Sequence, residues 1–128
     1  MSEQGHTVYE FLGGDEPFHR LVDAFYRGVA EDPLLRPMYP EPELEAAKER
    51  LALFLIQYWG GPRTYDEQRG HPRLRMRHFP FSIGEAERDA WLKHMRAAVE
   101  EVIPEPAKSV MLEYFQNTAH FLMNRQDG

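Results

Sequence analysis

The chain has no cysteine. That absence excludes disulfides, thiolate zinc sites, iron–sulfur clusters, thiol nucleophiles and covalent cofactor attachment through C-x-x-C-H. Any metal must be held by His, Asp, Glu, Tyr or Met, or arrive inside a cofactor. No run of about 18 apolar residues is present, so no transmembrane helix is predicted. Met1 to His6 is polar rather than signal-like, and the expected location is the cytoplasm. Basic residues are the minority, 15 against 21 acidic ones, for a formal net charge of −6. This balance argues against nonspecific nucleic-acid binding. Internal repeats, low-complexity tracts and linkers are missing too. So is any sustained period-2 alternation, which leaves an all-α chain. With 128 residues, one domain over 1–128 is expected, with 1–6 as a frayed extension.

What is present centres on Arg69-Gly70-His71-Pro72-Arg73-Leu74-Arg75-Met76-Arg77-His78-Phe79-Pro80-Phe81. Four arginines and two histidines share thirteen positions with two prolines and a glycine. Arg73 to Phe79 makes about two helical turns at most. On such a turn Leu74 and His78 share a face, and Arg77 projects about 100° away. An imidazole with an apolar neighbour below and a guanidinium beside it can bind a metal in an apolar slot, with arginines holding anionic groups at its mouth. The competing reading is a capping or partly buried polar histidine.

The rest of the chain reads as helices punctuated by ten prolines and nine glycines. Thr7 to Leu12 is a short apolar segment stopped by Gly13-Gly14. Asp15 is placed to cap the next helix, with Pro17 in its first turn. Phe18, Leu21, Val22, Phe25, Tyr26 and Val29 then keep a +3, +4 rhythm, predicting a helix from about Pro17 to Ala30. Asp32-Pro33 ends it, and Leu34 to Pro42 is a tight corner with a turn of 3₁₀ helix. The second helix spans Glu43 to Trp59, with Leu44, Ala47, Leu51, Phe54, Leu55, Tyr58 and Trp59 as its stripe. Gly60-Gly61-Pro62 stops it, and a loop leads into the arginine-histidine stretch. Ser82-Ile83-Gly84-Glu85 matches a capping box. It opens a third helix to about Ile103, with Trp91, Met95, Ala98, Val99 and Val102 inward. The fourth runs from about Ala107 to Asn124, with Met111, Tyr114, Phe115, Thr118, Ala119 and Leu122 inward.

Aromatic stripes are ordinarily core, and Phe18, Phe25, Phe54, Trp59 and Phe115 are assigned there. Tyr26, Tyr39 and Trp91 differ in carrying a polar atom on apolar ground. A buried phenol or indole needs a partner. Three such donors from separate elements either satisfy one another or converge on a polar ligand inside the core.

Taken together, Gly13-Gly14, Phe25-Tyr26, Tyr39-Pro40, Gln57-Tyr58-Trp59-Gly60-Gly61-Pro62, His71-Pro72-Arg73-Leu74-Arg75-Met76-Arg77-His78 and Trp91 make the chain resemble the group II truncated haemoglobins, of the bacterial truncated haemoglobin O type. The likeness runs from about Thr7 to Asn124. Each residue alone is weak evidence; their order and spacing from Tyr58 through His78 to Trp91 are specific.

The resemblance implies a truncated globin fold, a two-on-two helical sandwich around a noncovalent haem b and its iron. His78 would be the proximal ligand, its second ring nitrogen held by a carbonyl. Ala47 matches the position where many globins carry a distal histidine, and it offers no hydrogen bond. The polar role then falls to Tyr26, Tyr39 and Trp91. Dioxygen held in such a site carries partial negative charge on its outer oxygen, and donors in a low-dielectric pocket slow its release. Leu51, Phe54, Leu55, Leu74, Met76, Phe81 and Met95 would line the cofactor. Arg50 and Arg77 would pair with its propionates, with Arg75 a lesser candidate. His71 is read as structural, and His6, His19, His94 and His120 show no ligand spacing.

The implied function is binding of dioxygen, carbon monoxide, nitric oxide or similar ligands by a monomer or homodimer, with tight holding suited to storage or redox chemistry. Carrier, sensor and enzyme all fit this description. The resemblance permits nitric oxide dioxygenation or peroxide chemistry. Both need electrons, and with no flavin or nicotinamide motif a reductase partner would be required. No catalytic residue is assigned. Two alternatives stand beside this reading: a cofactor-free helical interaction module, and a zinc site built from His71, His78 and His94, which lacks a recognised spacing.

Overall fold

The computed structural model describes residues 7–39, 44–70 and 84–123. Within them all regular structure is helical: α1 (Val8–Leu12), α2 (Glu16–Ala30), a 3₁₀ turn (Arg36–Met38), α3 (Glu45–Tyr58), α4 (Thr64–Arg69), α5 (Glu85–Val102) and α6 (Ala107–Phe121).

α1 is too short to hold itself as a helix and is fastened at both ends. The Thr7 hydroxyl accepts from the Glu10 amide at 3.1 Å, and the Glu10 carboxylate accepts from the Thr7 amide at 3.0 Å. The Tyr9 amide donates to the Trp59 carbonyl at 2.9 Å, tying α1 to the end of α3. Asp15 precedes α2 but makes no side-chain cap. Its carboxylate instead accepts from the Tyr9 hydroxyl at 2.7 Å, which raises the Tyr9 pKa. The expected cap is thus diverted into a link between α1 and α2.

α2 is the central helix. Phe18, Leu21, Val22, Phe25, Tyr26 and Val29 are all buried, as the periodicity requires. Each such side chain contributes about 1.5–3 kcal/mol relative to exposure. α2 packs on α3 along one side and on α5 along another, and α5 packs on α6; among the described residues any contact between α3 and α5 is weaker than these.

α3 carries two apolar lines rather than the single stripe expected. Ala52, Leu55, Ile56 and Trp59 are buried. Leu51 and Phe54, on the adjacent line, are only partly buried, and Tyr58 is 52% exposed, against its inward assignment. The line facing α2 is closed by protein, and the other keeps accessible area.

The segment expected as a loop after Pro62 contains α4. Gln57 and Asp66 exchange two hydrogen bonds, 2.9 Å from the amide nitrogen and 3.0 Å to the amide oxygen. Arg63 pairs with the same carboxylate. This brace, with Tyr65 buried at 5%, holds a helix too polar to show a periodic stripe.

The box expected at Ser82 lies two residues early. α5 begins after Gly84, whose amide donates to Glu87 at 2.8 Å, so the reciprocal carboxylate is Glu87, not Glu85. Ser82 lies outside the described residues. α6 ends at Phe121 with Leu122 as its cap; the expected end, Asn124, and the Pro40 to Pro42 part of the corner also lie outside them.

Candidate functional site

The three polar aromatics arrive from three elements and meet. Tyr26, on α2, is 4% exposed. Its ring stands edge-on to Tyr39, from the corner after the 3₁₀ turn, with centroids 5.4 Å apart at 82°. Phe25 bridges the group, 4.9 Å from Tyr26 and 5.2 Å from Trp91 of α5. Trp91 in turn packs edge-on against Phe115 of α6 at 5.8 Å. Such pairs hold ring planes as well as positions.

α3 and α5 both pack on α2, the helix that carries Phe25 and Tyr26. On α3, Leu51 and Phe54 are only partly buried against the core. Phe54 is positioned by Tyr65 of α4, edge-on at 5.6 Å. Leu55 is 1% exposed, Ala47 2% and Met95 0%. Arg50 is half-buried on α3.

Two phenols and an indole from three elements, with partly buried apolar side chains and an arginine on α3, have the chemistry to hold a flat apolar group carrying anionic substituents. His78, Arg77, Arg75, Leu74, Met76 and Phe81, together with His71, lie outside the described residues. Among the described residues no group of three His, Asp or Glu side chains is arranged to hold a metal ion, and no helix is long and apolar enough to cross a membrane.

One polar pair escaped the sequence reading. His94 of α5 donates from Nε2 to the Asp32 carboxylate at 2.7 Å, with the two side chains 18% and 17% exposed. Asp32 also accepts from the Leu34 amide at 2.8 Å. The bond from His94, reinforced by the Leu34 and Leu35 amides, holds the Asp32 pKa below its ordinary value. Sixty-two positions separate the partners, so spacing gives no sign of them. A surface hollow of about 550 Å³ lies nearby between α2, the corner and α3, lined by Arg27, Arg36, Lys48, Asp23, Glu31 and Tyr26 among others.

The sequence and the fold both match known proteins. The sequence pattern of the bacterial-like globins matches residues 7–124. The group 2 truncated hemoglobin YjbI of Bacillus subtilis is 38% identical over 129 residues, covering 100% of this chain and 96% of that one. The crystal structure of a hemoglobin from the thermophilic phototrophic bacterium Chloroflexus aurantiacus superposes with a TM-score of 0.91 at 57% identity, over 94% of this chain and 100% of that one. A thermostable hemoglobin from the actinobacterium Thermobifida fusca gives a TM-score of 0.90 at 59% identity, over 93% and 98%.

Proposed function

Because the chain belongs to the bacterial-like globin family, with the all-α two-on-two truncated globin fold of its structural neighbours, we infer that it is a haem protein that binds dioxygen and related diatomic ligands. Family membership sets aside the cofactor-free interaction module. When bound, haem would supply the iron at which such ligands bind. The remaining work belongs to the chain.

We assign His78 as the residue that holds the iron from the proximal side, and Arg50 and Arg77 as partners of the propionates. We propose that Ala47, Leu51, Phe54, Leu55, Leu74, Met76, Phe81, Trp91 and Met95 would line the cofactor. We read residues 1–128 as one globin domain. The Tyr26 and Tyr39 hydroxyls and the Trp91 indole N–H donate to the outer atom of a polar ligand. The observation carrying this assignment is the mutual packing of Tyr26 and Tyr39, with Trp91 one ring further through Phe25. Indole is donor-only, so it favours a ligand with negative charge.

Each donor in a dry pocket contributes about 1–3 kcal/mol. Two or three acting together hold dioxygen tightly, which suits storage or redox chemistry better than rapid delivery. Nitric oxide dioxygenation, or peroxide reduction fed by an external reductase, follows as the enzymatic use of such a site. The oligomeric form proposed is monomer or homodimer.

Absorption spectra of ferric, reduced, and reduced carbon-monoxide-treated protein test the reading. A Soret band is expected, with loss of pigment or of the carbon monoxide complex in His78→Ala. A flat spectrum after haem addition overturns the function, and an unchanged His78→Ala spectrum overturns the proximal assignment.

A further inference from the structure

We infer that His94 and Asp32 are positioning residues for ligand retention: their hydrogen bond fixes the corner carrying Tyr39 against the helix carrying Trp91. The inference rests on the proposed donor role of Tyr39.

Trp91 and His94 are three residues apart on α5 and therefore lie on neighbouring positions of its surface. α5 crosses α2 at Gly28. A Cβ added there would lie 3.0 Å from both Cγ and Cε1 of His94, and closer still to Nδ1. The imidazole therefore occupies a notch that only glycine leaves open. From that notch Nε2 reaches past the end of α2 to the Asp32 carboxylate at 2.7 Å. Both side chains are more than four-fifths shielded, so water does not dissolve the contact as it does an exposed ion pair.

Asp32 is the anchor of the corner. One carboxylate oxygen takes His94, while the other accepts from the amides of Leu34 at 2.8 Å and Leu35 at 3.4 Å. Its carbonyl accepts from the Arg36 amide at 2.9 Å. Leu35 is 2% exposed and pins the middle of the corner in the core. Arg36 then clasps Tyr39: its guanidinium donates to the Tyr39 carbonyl at 2.6 Å, and the Tyr39 amide donates to the Arg36 carbonyl at 3.1 Å. Hydrogen bonds thus run without a gap from His94 to the backbone of Tyr39. The carboxylate makes three of these contacts, and charge-assisted bonds are the stiffer kind.

Three donors on three elements must agree in position to act on one atom. α2 supplies Tyr26 directly. The His94–Asp32 bond crosses α2 and ties together the other two elements. Without it the corner keeps its local turn but loses its fastening to α5, and the Tyr39 hydroxyl loses its aim. A small misplacement of a donor is enough to lose most of its bond.

The experiment is stopped-flow release of dioxygen and of carbon monoxide from the haem-loaded full chain. It compares wild type, His94→Phe, His94→Gln, Tyr39→Phe and the His94→Phe/Tyr39→Phe double variant. His94→Phe is expected to release dioxygen roughly 3- to 10-fold faster. Gln, which can donate from a similar reach, should restore release to within about twofold. In the Tyr39→Phe background the His94→Phe effect should shrink below about twofold, because its target is gone. Carbon monoxide, which carries less charge, should leave at an unchanged rate throughout. A His94→Phe effect that is absent, persists undiminished in the Tyr39→Phe background, or appears equally for carbon monoxide overturns the positioning role. Tyr39→Phe releasing dioxygen like wild type overturns the donor reading itself, a separate outcome. If His94→Phe does not load haem, Asp32→Ser breaks the same bond from the corner side and is read by the same comparison.

Discussion

Tyr39 stands edge-on to Tyr26, 5.4 Å between ring centroids and 82° between planes. The two come from different elements, thirteen positions apart in the chain. An edge-on pair places the rim of one ring against the face of the other, so neither can rotate without displacing its partner. Phe25 extends the same lock to Trp91. The orientation of each proposed donor is therefore a property of the aromatic group as a whole.

Tyr26→Phe and Trp91→Phe each keep ring packing and remove a donor. Each is expected to speed dioxygen release by roughly 5- to 150-fold, corresponding to about 1–3 kcal/mol per lost bond. Stopped-flow ligand replacement measures this directly. Wild-type rates in both variants would remove the donors from the account.

Gly28→Ala should destabilise the fold. Alanine is favoured in a helix by about 1 kcal/mol over glycine. Here its Cβ would meet the His94 ring at 3.0 Å or less, and such overpacking costs about 1–3 kcal/mol. The ring must swing away from Asp32 to make room. Thermal melting is expected to fall, and a rise would show that His94 can vacate the notch freely.

Asp32 gives a pH signature. Its folded pKa lies below the ordinary 3.8, so the folded chain binds its proton less readily than the unfolded one. The stability it contributes is fully present above 3.8 and is lost as pH falls through the lower folded value. Asp32→Asn should thus be less stable than wild type at neutral pH, with the difference narrowing below about pH 4. Urea melts at several pH values test this, and a gap that widens in acid would reverse the sign.

Gln57→Leu removes one side of the brace that holds α4. The Asp66 amide and carboxylate would each lose a bond of 3.0 Å or shorter. An unsatisfied partner of this kind costs about 1–3 kcal/mol, lowering the melting temperature by roughly 3–10 °C. An unchanged melt would mean that Arg63 and water satisfy Asp66 unaided.

The helices were legible where one face alone is apolar. α2 follows its +3, +4 rhythm because all six marked residues are buried. α3 was misjudged in orientation because two neighbouring lines are apolar, and periodicity cannot say which of them meets protein. α4 was missed because its six residues, Thr64 to Arg69, carry one buried aromatic and are held by a side-chain brace from α3. The caps failed for a related reason. Asp15 and Ser82 have the right chemistry, but Tyr9 engages the first and Glu87 sets the start of α5 two residues after the second. Tyr26, Tyr39 and Trp91, which share one aromatic cluster with Phe25, stood out by residue type, since phenol and indole on apolar stripes are conspicuous. His94 and Asp32 were not, because a bond across sixty-two positions depends on how two helices cross.

α3 and α5 share α2 as a neighbour, and a haem held by residues of these helices would tie the chain to its supply of cofactor. Such a group would bind the folded chain and have little to grip in the unfolded one. By mass action it adds stability that grows with the logarithm of its free concentration. Folded protein in the cell is then governed by tetrapyrrole synthesis as well as by translation.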